Sequence, residues 1–170
     1  MTTMILSQAR VGRWARVLAM TLLGLTQGTA LAAEASGDYA QDLASVYWGY
    51  QRMLAMKEAC DAAEPASRSA NDKAFASWEK QQRAVIQELR QRVTAMIRRA
   101  SQDEKDYARN LGKYEGAILA ERQEYKEHLL GMGAEALREQ CQSMPDTLRS
   151  ADADFEKVYA QELAIIRKRK

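Results

Sequence analysis

Beyond residue 37, apolar side chains recur at three- and four-residue steps through almost the whole chain, and nowhere with the two-residue alternation of a half-buried strand. Between 38 and 62, Tyr39, Leu43, Val46, Tyr47, Tyr50, Met53 and Leu54 fall on one helical face. The stretch 65–71, small, polar and opened by Pro65, predicts a loop. From 72 to 100, Phe75, Trp78, Val85, Leu89, Val93 and Met96 keep a single stripe, which predicts one uninterrupted helix about 43 Å long. Ser101-Gln102-Asp103-Glu104 matches a capping box, so a tight turn should make the helices on either side antiparallel neighbours.

The next helix carries Tyr107, Leu111, Tyr114, Ile118, Glu121, Tyr125, His128 and Met132 at four-three spacing. It is expected to end at Gly131 and Gly133 in a left-handed cap. A short helix over 134–142 follows. Ser143 and Pro145 then open a last helix whose Leu148, Ala151, Phe155, Val158, Tyr159, Ile165 and Ile166 face inward. The expected fold is all-α: an antiparallel up-down helical bundle of four main helices plus one short helix.

The N-terminus follows a different pattern. Arg10, Arg13 and Arg16 precede an apolar run over 17–25 and a small-residue stretch ending Ala30-Leu31-Ala32-Ala33. Basic start, apolar middle and A-x-A end are the parts of a secretory signal peptide, expected to be cut after Ala32. Thr21, Gly24, Thr26, Gln27 and Gly28 break the apolar run before it reaches the roughly 20 residues of a bilayer span. The expected organisation is a signal peptide over 1–32 and a single domain over 33–170, periplasmic or secreted from a bacterial cell, with no stable membrane span after cleavage.

Charge must be read on that mature part. The full chain has 25 Lys and Arg against 23 Asp and Glu, but three of the basic residues and none of the acidic ones lie before residue 33, which leaves 22 against 23, or −1. Nothing in this balance recommends nucleic acid as a partner. The one basic block, Arg167-Lys168-Arg169-Lys170, sits where cations complement a helix C-terminus. The two cysteines, Cys60 and Cys141, predict one disulfide in an oxidising compartment, because the up-down order brings the ends that carry them together.

Candidate chemistry is sparse. With His128 as the single histidine, no two-histidine metal motif, haem-attachment motif or di-iron Glu-x-x-His pair exists, nor does a G-x-S-x-G elbow or a phosphate-binding glycine loop. No metal or cofactor is expected, and the chain is read as a non-enzyme.

Polar residues on inward faces are the anomaly. Lys57, Gln82 and Glu121 continue the apolar stripes of three helices at heights of about 29, 27 and 29 Å, so they should share one layer, with His128 about 10 Å further along. One reading makes the layer a register-fixing ion pair of Lys57 and Glu121 with Gln82. A variant has the third helix drift, exposing Glu121 while Leu129 takes over the seam. The functional reading makes Lys57, Gln82, Glu121, Tyr125 and His128, with Tyr114, a polar pocket for a small ligand. His128 by itself, beside Glu124 and a helix C-terminus, is stabilised at the surface without a further role.

Trp48 points about 160° from the main stripe of the first helix, in the company of Ala44, Ala55 and Ala59. That face is either a second buried stripe or an aromatic anchor for a protein partner.

In general plan the chain resembles periplasmic helical accessory proteins, namely stress chaperones, adaptors and small immunity or inhibitor proteins. The resemblance covers architecture only, since the L-T-x-x-Q repeats of one helical chaperone group are absent from residues 33–170. The first expectation is a protein that presents helix faces to a protein partner, with self-association as one form of that. The second is a small-ligand carrier using the polar layer.

Overall fold

A computed structural model describes residues 35–169. The expected signal peptide lies outside these residues. Seven α-helices and one 3-10 turn make up the described structure, which contains no strand. The helices are α1 (Tyr39–Ala63), α2 (Arg68–Gln81), α3 (Arg83–Arg99), α4 (Glu104–Leu130), α5 (Ala134–Arg149), α6 (Phe155–Val158) and α7 (Ala160–Lys168), with the 3-10 turn at Ala151–Ala153. Their contacts fit four antiparallel rods: α1; α2 with α3; α4; and α5 through α7.

The first rod starts where the Asp38 carboxylate accepts the backbone N–H groups of Ala40 and Gln41 at 2.9 and 3.0 Å. α1 touches α2, α3, α4, α5 and α7, so it is buried on several sides, with Leu43, Val46, Tyr50, Ala55, Ala59 and Cys60 all in the core. A helix so enclosed cannot keep a single apolar face. Its small residues then decide how closely neighbours approach. At Gly49 a Cβ would stand 2.3 Å from the Tyr159 hydroxyl, so the absence of a side chain there lets the start of α7 lie against α1.

The predicted 72–100 helix is broken. α2 begins at Arg68, inside the expected loop, and gives way to α3 at Gln82. The backbone bonds from Gln82 to Trp78 and from Ile86 to Gln82 persist at 2.9 and 3.0 Å. The buried Gln82 side chain turns to the fourth rod, where its Oε1 accepts the Phe155 N–H at 3.2 Å. One turn earlier the fully buried Trp78 donates its indole N–H to the Ala153 carbonyl at 2.7 Å. These two bonds satisfy backbone groups that the break in the fourth rod leaves open.

Three further expectations are corrected. The cap of α4 is Asp103, whose carboxylate accepts the Asp106 N–H at 2.8 Å, whereas the Ser101 hydroxyl donates to the Ile97 carbonyl at 2.8 Å and closes α3. Glu104 pairs with Arg98 instead of reaching back to a cap. The turn is nevertheless tight, and α3 and α4 are in contact. Gly131 keeps a right-handed φ of −82°, and the left-handed conformation falls at Gly133 with φ +98°. The short helix does not stop before Pro145: α5 runs through the proline to Arg149, because Leu137, Cys141, Met144 and Leu148 form one buried stripe across it. That burial outweighs the hydrogen bond a mid-helix proline lacks. The last rod breaks later, at Ser150 and again at Tyr159. Of its inward-facing residues, Leu148, Phe155 and Ile166 are buried and Val158, Tyr159 and Ile165 half-buried, while Ala151 is exposed and its place is taken by Ala153.

The disulfide forms as expected. Cys60 near the end of α1 is bonded to Cys141 in the middle of α5, with Cα atoms 5.3 Å apart and both residues fully buried. No helix of the described residues is long and apolar enough to cross a membrane.

Candidate functional site

The predicted polar layer does not assemble. The Lys57 ammonium lies 2.7 Å from Asp61 Oδ2 and 2.7 Å from Asp72 Oδ1, and so bridges α1 to α2 at the surface. Partial burial works against its charge, but the hydrogen bonds to Asp61 and Asp72 prevail and raise its pKa. Gln82 is inward as expected, yet its partner is the backbone of Phe155. Glu121 is exposed, and Leu129, only 2 % exposed, occupies the seam of α4. The cause is the drift of a 3.6-residue helix across a 3.5-residue pattern.

Tyr125, His128 and Trp48 form a separate cluster at the α1–α4 contact. The Tyr125 ring lies 6.3 Å from the edge-on Trp48 ring and 6.3 Å from the exposed His128, and its hydroxyl accepts from Arg52 at 3.1 Å. Trp48 is half-buried there, and Ala55 and Ala59 on its face are fully buried while Ala44 is exposed. The small-residue face is thus covered by other helices over most of its length.

One of several surface depressions of comparable volume lies between α3 and α4. α3 and α4 diverge from their shared turn, and the space between them is a groove of about 470 Å³ floored by α1. Its floor is Tyr47, Tyr50, Gln51 and Leu54; α3 contributes Arg90, Val93 and Thr94; α4 contributes Leu111, Tyr114, Glu115, Ile118, Leu119 and Arg122. From Leu111 to Arg122 it runs about 16 Å along α4. Leu119 on its rim is 53 % exposed, the most exposed of the large apolar side chains among the described residues.

The floor is aromatic and ordered by hydrogen bonds. Tyr47 packs 6.4 Å from both Tyr50 and Tyr114. The Tyr50 hydroxyl donates to Glu79 Oε1 at 2.9 Å and accepts from Arg90 Nη2 at 3.0 Å. Burial, and after it the bond to Glu79, pushes the Tyr50 phenol up to about 12. Burial likewise pushes Tyr114 up to about 12, with smaller contributions from Tyr47 and Glu121. Both phenols therefore stay neutral at physiological pH. On the far bank Arg122 reaches Gln51 and Glu58, each at 3.5 Å. Among the described residues, no group of three or more His, Cys, Asp or Glu side chains is placed to hold a metal ion.

Of the groove residues only Tyr114 was among the sequence candidates. Tyr47, Tyr50, Leu54, Val93, Leu111 and Ile118 belong to the stripes assigned to the core, and they line the groove between α3 and α4. Leu119, an apolar residue one position off the α4 stripe beside Ile118, was the sequence signal for an apolar surface on that side. The chain matches no family model, no curated protein and no solved structure.

Proposed function

We propose that this is a non-enzymatic interaction protein of the periplasm or the extracellular space, and that it binds a protein partner through the groove between α3 and α4. The observation that carries the reading is the groove itself: an aromatic floor, an exposed leucine on the rim, and walls supplied by two helices over a third. Grooves of this kind accept apolar side chains of a partner segment while polar groups at the edge set its orientation.

A photo-crosslinking residue at Leu119, compared with one at the exposed Lys157 on the fourth rod, tests it in cells that export the protein. Adducts of discrete mass from position 119 and none from 157 are expected. An identical pattern from both positions defeats the reading, and an adduct of twice the protein's mass identifies the partner as a second copy.

A small-ligand carrier is the alternative, and the groove volume favours it specifically, since about 470 Å³ lies within the range of ligand pockets. Its site would be Tyr47, Tyr50, Tyr114 and Arg90 in place of the Glu121 layer. Native mass spectrometry of the purified protein distinguishes the two: a co-purifying small molecule that is lost in Leu119→Lys supports the carrier.

A further inference from the structure

We infer that the groove's occupant is an acidic amphipathic helix, laid with its apolar stripe on the α1 floor and its acidic flank against α3. The inference rests on the groove being the binding site and adds the chemistry of what binds.

Charge is distributed unevenly between the rods. Residues 68–99, which span α2 and α3, carry eight basic side chains against three acidic ones, a net +5; the other described residues carry 13 against 19, or −6. Two of the three acids in 68–99 are already committed: Asp72 to Lys57, and Glu88 to Arg92 and Arg167. The third, Glu79, holds the Tyr50 hydroxyl. Lys80, Arg83 and Arg90 are exposed, and no carboxylate of the described residues pairs with any of them. Arg90 lines the groove on its α3 side, and Lys80 and Arg83 line an adjoining depression, with Glu79, that shares Tyr50 and Arg90 with it.

The opposite bank differs. There α4 offers Glu115, and its Arg122 is engaged by Glu58. The groove is therefore polarised across its width, basic on the α3 side and mixed on the α4 side. A ligand that fits must be apolar underneath and negative on one flank. A helix meets both demands, because residues at i, i+3, i+4 and i+7 supply the apolar stripe and neighbouring positions the acids. A length of about 16 Å accepts about three turns. Cations that no carboxylate of the described residues neutralises steer an anionic segment and fix its direction more than they add affinity.

The test uses the purified protein and fluorescent synthetic helices of three to four turns, built of Leu and Ala with one flank of Glu, of Gln or of Lys. Saturable binding of the Glu helix alone is expected, weakening as salt is raised. Arg83→Glu with Arg90→Glu should lower that affinity about tenfold, because reversal replaces attraction by repulsion at two exposed sites. The same variant should gain binding of the Lys helix. Leu119→Lys should abolish binding of the Glu helix. Equal binding of Glu and Gln helices, with both lost in Leu119→Lys, overturns the charge inference and leaves the groove reading standing. Binding indifferent to Leu119→Lys, or no binding of any helix, overturns both. Binding of phosphatidylglycerol vesicles that depends on Arg83 and Arg90 but not on Leu119, without binding of the Glu helix, overturns the helix in favour of a lipid surface.

Discussion

Removing the disulfide should cost this protein a large part of its stability. The bond joins positions 81 residues apart, from the end of α1 to the middle of α5. In the chain-entropy treatment, closing a loop of that length restricts the unfolded ensemble by about 4.5 kcal/mol at 25 °C. A domain of this size gains roughly 2.1 cal/mol/K of unfolding entropy per residue, so that figure corresponds to a fall in Tm of about 15 °C. Both sulfurs are fully buried, so reductant reaches them only as the chain opens. The cross-link alone is therefore assayed by reducing the protein in denaturant, refolding it under reductant and melting it by circular dichroism. Cys60→Ala with Cys141→Ala removes the sulfur volume as well and should melt lower still, by the cost of the void left in the core. A fall of less than about 5 °C in the reduced protein, with both thiols shown free by mass, would refute loop closure as the source of the stabilisation.

Two other perturbations test the packing and the ion pairs. Gly49→Ala should destabilise by about 1–3 kcal/mol, because its Cβ would sit 2.3 Å from the Tyr159 hydroxyl. In a Tyr159→Ala background the same change should stabilise by about 0.5–1 kcal/mol, as alanine outdoes glycine inside a helix; chemical denaturation of the four proteins shows whether the sign reverses. The Arg167 guanidinium binds Glu88 and Glu156 at 2.8 and 2.7 Å. At Glu156 that bond is the leading effect and lowers the pKa; at Glu88 burial opposes, but the bonds from Arg167 and Arg92 together prevail and lower it too. Carboxylates held below their unfolded pKa, near 4.3, stabilise the fold above that pH and lose the contribution as pH falls through the folded value. Arg167→Gln should therefore lower Tm more at pH 7 than at pH 3. An equal deficit at both pH values would exclude the ion pairs as its cause.

The helical class, the first helix and the disulfide were all legible in the sequence, since each depends on local spacing or on topology alone. Asp38 and the 38–62 stripe locate α1 to within a residue of its observed bounds. What failed was decided between rods. A glutamine on an apolar stripe does not reveal that it will receive the N–H of Phe155, 73 positions away, so the break at Gln82 was invisible. Pro145 misled for the converse reason: the helix-breaking tendency of proline is local, whereas the burial of Met144 and Leu148 that overrides it is tertiary. The polar layer failed on accumulated phase, because a few degrees of drift per turn over the 27 residues of α4 carry Glu121 from the seam to solvent. The groove was illegible because the stripes of α1, α3 and α4 record which residues turn inward, not whether the helices then meet.

That last distinction explains why the groove lies where it does. α4 buries only Leu129 fully, near its disulfide-side end, and meets the rest of the molecule through the half-buried Tyr107, Leu111, Tyr114, Ile118 and Tyr125. Tyrosine covers apolar area yet keeps its hydroxyl toward water or a partner, so a seam built of it does not draw two helices together as leucine would. The same stretch holds Gly112 and Gly116, both facing open space, and each is about 1 kcal/mol less favourable in a helix than alanine. α3, by contrast, is fixed by Val85, Ile86, Leu89, Val93 and Ile97, all buried, and by Arg92, which donates to the Ile166 and Arg169 carbonyls at the end of α7. The groove thus has one bank packed into the core through aliphatic side chains and one seated on α1 mainly through half-buried tyrosines. A helix arriving on the α1 floor would be oriented by the charges of α3.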